Sequence, residues 1–155
     1  NRPEEKVYSG SSPVSFVYSV GGDDKMNSSS WILKDWRAPK VERAWGHYRE
    51  LYQGTGFAVK ELVIAPHGKL SMQRHKHRSE TWNLVSGDAK LLTNWRSNNP
   101  HDGALLSTLH PSIPFNIEAG TWHQGFNDSD SPAHIVEIWK GSSDKLSEED
   151  IERLD

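Results

Sequence analysis

Short runs of strand-forming residues, separated by turn signals, recur from Trp45 onward and constrain the fold more than any other feature. The apolar residues of this region do not repeat at the helical period. Many short strands at close spacing are typical of an all-β sandwich or barrel, and closure into a barrel removes exposed sheet edges. We therefore predict an all-β barrel with strands in eight segments, which are Gly46–Tyr52, Phe57–Ala65, Leu70–His75, Glu80–Ser86, Ala89–Trp95, Leu105–Leu109, Ile113–Ile117 and Ile135–Lys140.

The first 35 residues differ in texture from the rest. Residues 1–35 are rich in Ser and Gly and are predicted to form an extension ahead of a single main domain at residues 36–155. Within the extension, Val14–Val20 alternates with the period of a half-buried strand. Such a strand can join its own sheet or pair with a second subunit, so a homodimer is a hypothesis that the sequence leaves open.

The C-terminal residues carry a helix signal. Ser147 can cap a helix, and Asp150 follows it at the spacing of a capping box. Leu146 can pack on Ile151 as a hydrophobic staple. These features predict a short surface helix that closes one end of the barrel and carries no chemistry.

Composition and charge exclude several classes of function. The chain of 155 residues has no Cys, which excludes disulfides and thiolate metal sites. Its net charge of −3 gives no overall field that would attract nucleic acid or an anionic membrane, so we expect a small polar partner. No apolar run approaches the roughly 20 residues that span a bilayer, and Asn1–Gly10 lacks the apolar core of a signal peptide. We therefore expect a soluble, cytoplasmic protein.

Polar side chains cluster on one face of the predicted strand that precedes Glu80. Gln73, His75 and His77 occur at every second residue, so all three side chains leave the same strand face. A turn of the chain after His77 brings Glu80 back to that interior. Buried imidazole, amide and carboxylate groups are costly without partners, and a divalent cation satisfies several at once. We therefore predict a metal site; the alternative is that these histidines lie on a solvated sheet surface.

His123 is the fourth candidate ligand. It follows Gly120, which permits a tight turn immediately before the strand that would deliver the imidazole. Local spacing alone does not connect it to the other three residues. A ligand set of two oxygens and two nitrogens, from Gln73, Glu80, His75 and His123, favours Zn²⁺ and also permits Mn²⁺, Fe²⁺ or Co²⁺.

The same residues fit the first motif of the cupin superfamily. That motif is written glycine, five residues, His-x-His, four residues, Glu, six residues, Gly. The chain follows it from His67 through Gln73, His75 and Glu80 to Gly87, with Gln73 in place of the first histidine and His67 in place of the glycine. The chain thus resembles the cupins, which are jelly-roll barrels, also described as double-stranded β-helices.

The second cupin motif is also present. Its pattern, Pro-x-Gly, two residues, His, three residues, Asn, appears at Glu118, Gly120, His123 and Asn127, with glutamate in place of proline. Further segments resemble one branch of the superfamily, the cupin of type II phosphomannose isomerases, and the likeness covers residues 41–155. These segments are Arg43–Gly46, Val59–Lys60, Leu70–Gln73, His77–Trp82, Val85–Gly87 and Glu148–Arg153, and the departures are Ala44, Arg74, Lys76 and Thr81.

The resemblance implies a metal-dependent isomerase that interconverts mannose 6-phosphate and fructose 6-phosphate. The metal would polarise the carbonyl of the open-chain sugar and stabilise the enediolate, while a side chain moves the proton between C1 and C2. His77 is the candidate base. It could instead be a fifth ligand, or a residue that hydrogen-bonds a ligand, and the sequence leaves these alternatives open. Residues 1–40 do not resemble the nucleotidyltransferase domain of the larger members, so we expect no sugar-nucleotide synthesis.

Three basic residues are candidates for binding the phosphate. Lys60 shares its strand face with apolar residues, so its ammonium group could hold a phosphate or tune the metal, or its stem could simply cover apolar surface. Arg78 and Arg43 carry guanidinium groups that match phosphate geometry. Glu137 alternates with apolar residues on the last predicted strand and is a reserve candidate for orienting a ligand or acting as base.

Two other functions remain open from the sequence. One is a non-catalytic, metal-containing cupin that binds a sugar or an anionic metabolite, because one fold hosts many functions. The other is an oxygenase-type cupin that depends on Fe²⁺, because the same ligand set permits redox chemistry.

Overall fold

The computed structural model describes residues 38–95, 97, 99–100 and 102–154. These residues form an all-β unit of two antiparallel sheets, which confirms the predicted fold class. Across them we find no helix with the length and apolar character that a bilayer crossing requires. The predicted extension at residues 1–35 and its strand at Val14–Val20 fall outside the described part of the chain, so the homodimer hypothesis stays a prediction.

Eleven strands make up the two sheets of the described residues. The first sheet has the order β1-β2-β3-β10-β5-β8, and the second has the order β11-β4-β9-β6-β7. Each of the eight predicted segments overlaps one strand. The bounds are β1 Val41–Arg43, β2 Gly46–Gly54, β3 Phe57–Ile64, β4 Met72–Arg74, β5 Arg78–Ser86, β6 Lys90–Asn94, β7 Leu105–Thr108, β8 Phe115–Ile117, β9 Trp122–Phe126, β10 Ala133–Gly141 and β11 Glu152–Leu154.

Strands β3, β5 and β10 divide the barrel interior into an apolar end and a polar end. They are neighbours in the first sheet, and alternate residues of each point inward and are buried. At one end the inward residues are aliphatic, and Ile135 lies opposite both Leu62 and Leu84. At the other end Glu137 lies opposite both Lys60 and Trp82. The apolar end forms the core, so the polar end is free to form a site.

The predicted C-terminal helix is wrong. The amide of Asp150 donates to the carbonyl of Ser147 at 3.3 Å, which closes one turn that no second turn follows. Leu146 is buried against Ala58 and Trp139, so it does not act as a staple on Ile151. A single capped turn without a packed face does not sustain a helix.

Residues that would have continued that helix form a strand instead. Strand β11 pairs antiparallel with β4, and Arg153 lies opposite Gln73. The guanidinium of Arg74 donates to both carboxylate oxygens of Glu152, at 2.8 and 3.0 Å. This bidentate pair and the sheet pairing outweigh the local helix signal, and they place residues 146–154 across the polar end of the barrel.

Gly87, the last residue of the first cupin motif, occupies a backbone position that excludes a side chain. Its φ is +79°, and a Cβ there would overlap the carbonyl oxygen of Pro132. Gly103 has a similar φ of +74°, but a Cβ there would have no atom within 4 Å. The two glycines therefore differ in packing and not in backbone conformation.

We predict that Gly103→Ala lowers the free energy of unfolding by about 1 kcal/mol, through the left-handed backbone alone. Gly87→Ala should lower it by about 3 kcal/mol or more, because the backbone must also move away from Pro132. Urea titration of both variants measures the difference. Equal losses in the two variants would contradict this account of Gly87.

Candidate metal centre and its cavity

The turn between β4 and β5 delivers His75 and Glu80. Strand β4 ends at Arg74, and the chain reverses before β5 begins at Arg78. The carboxylate of Asp150 holds this turn, since Oδ1 accepts from the backbone amide of Lys76 at 3.1 Å and Oδ2 from that of His77 at 2.9 Å. Asp150 therefore fixes the chain that connects the two buried residues.

His123 and Gln73 come from neighbouring strands. Gly120 has a φ of +81° and precedes β9, as the sequence indicated, and its amide donates to the carbonyl of His75 at 2.7 Å. In the sheet, Gln73 on β4 lies directly opposite His123 on β9. Side chains at opposed positions share one face, so both point into the barrel.

Three of the predicted ligands meet at one point inside the barrel. The Nε2 atom of His75 lies 2.9 Å from Oε1 of Glu80, and Nε2 of His123 lies 3.4 Å from Oε2. The side-chain nitrogen of Gln73 lies 3.5 Å from Nε2 of His123. One ligand atom from each of His75, Glu80 and His123 lies within 4.8 Å of the others, and all three residues are buried. This group could hold a metal ion.

Backbone carbonyls orient both imidazoles. Nδ1 of His75 lies 2.9 Å from the carbonyl oxygen of Asp150, and Nδ1 of His123 lies 3.0 Å from that of Thr121. A carbonyl can only accept, so each Nδ1 donates a hydrogen and each neutral ring has its lone pair on Nε2. Both Nε2 atoms face Glu80, and lone pairs that face a carboxylate repel it. A divalent cation removes this repulsion without protonation of two buried rings, and the donor set therefore fits a metal.

The carboxyl groups of Glu80 and Glu137 share one indole donor but differ in acidity. Nε1 of Trp82 donates to Oε2 of Glu80 at 3.1 Å and to Oε1 of Glu137 at 3.0 Å. Burial by itself raises the pKa of Glu80, but when His123 and His75 carry a second proton, their hydrogen bonds and positive charge lower that pKa well below its ordinary value. A cation bound in place of those protons would act in the same direction. Burial, and then the charge of Glu80, raise the pKa of Glu137 well above its ordinary value. Glu80 is therefore the stronger acid of the pair and Glu137 the weaker one.

A cavity of about 420 Å³ opens beside this cluster. Gln73, Glu80 and Glu137 lie on its wall, and Tyr48 and Trp139 supply aromatic surface. Its lining also includes four basic residues from four strands, which are Arg43, Lys60, Arg78 and Arg153. A concave site with aromatic walls and basic groups suits a small anionic ligand.

Arg78 is buried and contacts the cluster itself. Its Nε donates to Oε1 of Glu80 at 3.2 Å, its Nη2 lies 3.3 Å from Nε2 of His75, and its Nη1 donates to the carbonyl of Ser147 at 2.6 Å. The guanidinium also stacks on the ring of Trp139, 3.5 Å from its centroid. The hydrogen bonds from Nε and Nη1 use donors that a phosphate would need, so Arg78 positions Glu80 beside His75.

Lys60 is buried on the strand face that the sequence indicated. Its ammonium group forms an ion pair with Glu148 and a second with Glu50, the latter at 3.2 Å. It also lies 3.6 Å from the ring centroid of Trp139 and 4.8 Å from that of Tyr48. Two carboxylates therefore compensate its charge before any anion enters the cavity.

The predicted placement of His77 is wrong. Its side chain is exposed, and its backbone amide is held by Asp150, because β4 ends three residues earlier and the alternation of faces ends with it. His77 therefore does not share a face with Gln73 and His75, and its ring does not line the cavity.

Sequence reasoning missed the contribution of residues 147–153. Glu148, Ile151 and Arg153 line the cavity, and the carbonyls of Ser147 and Asp150 bind Arg78 and His75. A signal for this role existed, because Glu148–Arg153 is one of the segments that resemble the isomerase branch. The helix prediction placed the segment on the surface and so concealed its role.

Comparison with known proteins assigns this chain to a family. The sequence matches the family described as mannose-6-phosphate isomerase C-terminal over residues 34–155. The alginate biosynthesis protein AlgA of Pseudomonas aeruginosa is 35% identical over 145 residues, which are 88% of this chain and 28% of that protein. The mannose-1-phosphate guanylyltransferase of Salmonella muenchen is 31% identical over 116 residues, which are 75% of this chain and 22% of that protein. The chain thus spans about a quarter of the length of these relatives.

Solved structures agree with the fold at much lower identity. The capsular polysaccharide assembling protein CapF of Staphylococcus aureus superposes with a TM-score of 0.63 at 15% identity, over 76% of this chain and 34% of that one. Oxalate decarboxylase of Bacillus subtilis gives a TM-score of 0.62 at 15% identity, over 76% of this chain and 30% of that one. At such identities the likeness concerns the fold alone, and it confirms the predicted cupin fold. The family match over residues 34–155, together with this fold, shows that the chain belongs to the mannose-6-phosphate isomerase C-terminal family of cupins.

Proposed function

We propose that the chain binds one divalent metal ion, Zn²⁺ in this proposal, on Gln73, His75, Glu80 and His123, and isomerises mannose 6-phosphate to fructose 6-phosphate. The observation that carries the proposal is the orientation of two imidazole rings. Backbone carbonyls bind both Nδ1 atoms, so both Nε2 atoms face the buried carboxylate of Glu80, beside a cavity with basic residues. Family membership supports the reaction class. The relatives named above are about four times as long as this chain, so isomerase activity of the cupin domain by itself is part of the proposal.

The metal would act on the sugar as a Lewis acid that polarises its carbonyl oxygen. His75 and His123 would bind it through Nε2, and Glu80 through its carboxylate. The amide nitrogen of Gln73 now faces His123, while its Oε1 accepts from the hydroxyl of Ser71 at 3.3 Å. Rotation of the Gln73 amide by half a turn would bring its oxygen to the position that the nitrogen now occupies, beside Nε2 of His123. Only the hydrogen-bond partners distinguish these two orientations of an amide.

Arg43 and Arg153 are the residues we propose to bind the phosphate group. Both line the cavity and both are exposed, so they lie at its mouth. Among the described residues, the guanidinium of Arg153 has no ion-pair partner. Within the same part of the chain, the guanidinium of Arg43 contacts only the backbone carbonyl of Glu42 and the hydroxyl and ring of Tyr48. Arg78 and Lys60 are already bound to carboxylates, so we assign them positioning roles instead.

Glu137 is the residue we propose to move the proton between C1 and C2. Its side chain lies on the cavity wall, and Trp82 fixes one of its oxygens. Of the other carboxylates on that wall, Glu80 is a proposed ligand and Glu148 is paired with Lys60. Glu137 therefore holds the proton-transfer position that the sequence had assigned to His77.

Removal of one ligand should remove the metal. We predict that the wild-type protein purifies with, or takes up, one equivalent of Zn²⁺, and that His75→Ala loses at least nine-tenths of it because a buried donor is missing. Elemental analysis after gel filtration measures the stoichiometry. His67→Ala is the matched control, since His67 is exposed and pairs with Asp130 on the surface. Equal metal content in the two variants would contradict the assigned site.

Loss of the proposed proton carrier should remove activity but not metal. We predict that Glu137→Gln lowers kcat for mannose 6-phosphate isomerisation by about 10²-fold or more while the metal content stays at the wild-type value. A coupled assay for fructose 6-phosphate measures the rate. Glu61→Gln is the matched control, because Glu61 lies on the opposite face of β3 and pairs with Arg49. A metal-loaded wild-type protein without turnover would refute the isomerase.

A further inference from the structure

A second cavity of about 430 Å³ lies on the other side of the metal-binding cluster and shares no lining residue with the first. Its walls come from β6, β8 and the turn before β9, whereas the first cavity is lined by β1 to β5, β10, β11 and adjoining loops. Thr93 on its wall lies opposite His123 in the sheet, and Ile117 lies opposite Glu80. The cluster thus separates the two cavities.

Two buried hydroxyl groups face this second cavity. Thr93 and Thr121 are only 4% and 7% exposed, and both line the cavity. Neither hydroxyl hydrogen-bonds another of the described residues, although neither is sealed from the cavity. Buried hydroxyls without partners are costly, so a ligand with its own hydroxyl groups finds two preformed hydrogen-bonding positions here.

The rim of the second cavity adds aromatic surface and further polar groups. The Trp95 side chain is 57% exposed, and Phe115 lies beside it in the lining. Asn116 also lines the cavity, and the hydroxyl of Thr81 donates to its Oδ1 at 2.9 Å, which holds its side chain on the outer face of β8. The exposed carboxylate of Glu118, which stands where the cupin motif has proline, supplies an acceptor.

We propose that this second cavity binds a neutral carbohydrate, in the form of a pyranose ring. The aromatic rings match the apolar face of such a sugar, and the carboxylate and the two threonine hydroxyls match its hydroxyl groups. The described lining contains one carboxylate and no Lys or Arg, whereas the first cavity has four basic residues. This charge difference separates a neutral sugar from a sugar phosphate, and the proposal stands independently of the isomerase.

Side-chain NMR of the full chain tests the proposal with methyl glycosides of mannose, glucose and galactose as probes. We expect at least one glycoside to give saturable shifts at the Trp95 indole and the Thr93 methyl group, without shifts at the Gln73 amide. Thr93→Val, which replaces the hydroxyl with a methyl group, should raise the Kd about fivefold. Thr108→Val is the matched control, since Thr108 is exposed on β7 and does not line the cavity.

Trp95→Ala provides a second variant at an exposed position, so the test does not depend on the folding of the Thr93 variant. It should raise the Kd about tenfold through loss of the stacking surface. The absence of saturable shifts with all three glycosides would overturn the proposal. Shifts confined to Gln73 would also overturn it, because the sugar would then occupy the first cavity, as would equal Kd values for the Thr93 and Thr108 variants.

Discussion

The carboxylate of Glu80 is buried with one oxygen toward each of two imidazole Nε2 atoms, and most polar contacts at this end of the barrel serve that arrangement. Trp82 donates to the carboxylate from the core side, and Arg78 donates to it from the start of the same strand. A buried anion is stable only with such compensation. The point between the two Nε2 atoms and the carboxylate is electronegative, so a cation bound there would complete the arrangement.

The C-terminal segment stabilises this centre from outside the barrel. Asp150 holds the turn after His75 through its carboxylate and the His75 ring through its carbonyl, while Ser147 and Glu148 bind Arg78 and Lys60. The bidentate pair between Arg74 and Glu152 then fixes the segment to β4. Few residues of this segment are buried, yet its backbone fixes the orientation of the His75 ring. Hydrogen bonds and ion pairs therefore join the candidate metal centre to this segment.

Sequence periodicity predicted the parts of this structure that depend on a single strand. Alternation placed Lys60 in the interior correctly, because β3 continues through that position. Glu80 was placed there by the predicted turn of the chain after His77, and β5 buries it. It failed for His77, because β4 ends early and alternation holds only within a strand. The helix signal at Ser147 failed because pairing with β4, a contact across the whole chain, outweighed a local cap. The pairing of Lys60 with Glu148 was also beyond the sequence, since 88 residues separate the two.

X-ray absorption spectroscopy at the Zn edge of the metal-loaded protein tests the central claim most directly, because it reports the atoms bound to the ion. The account predicts two imidazole nitrogens and light oxygen ligands at about 2.0 to 2.2 Å. It also predicts an identical spectrum for His67→Ala, whose ring lies on the surface. A spectrum with one imidazole or none would contradict the assignment of His75 and His123 as ligands.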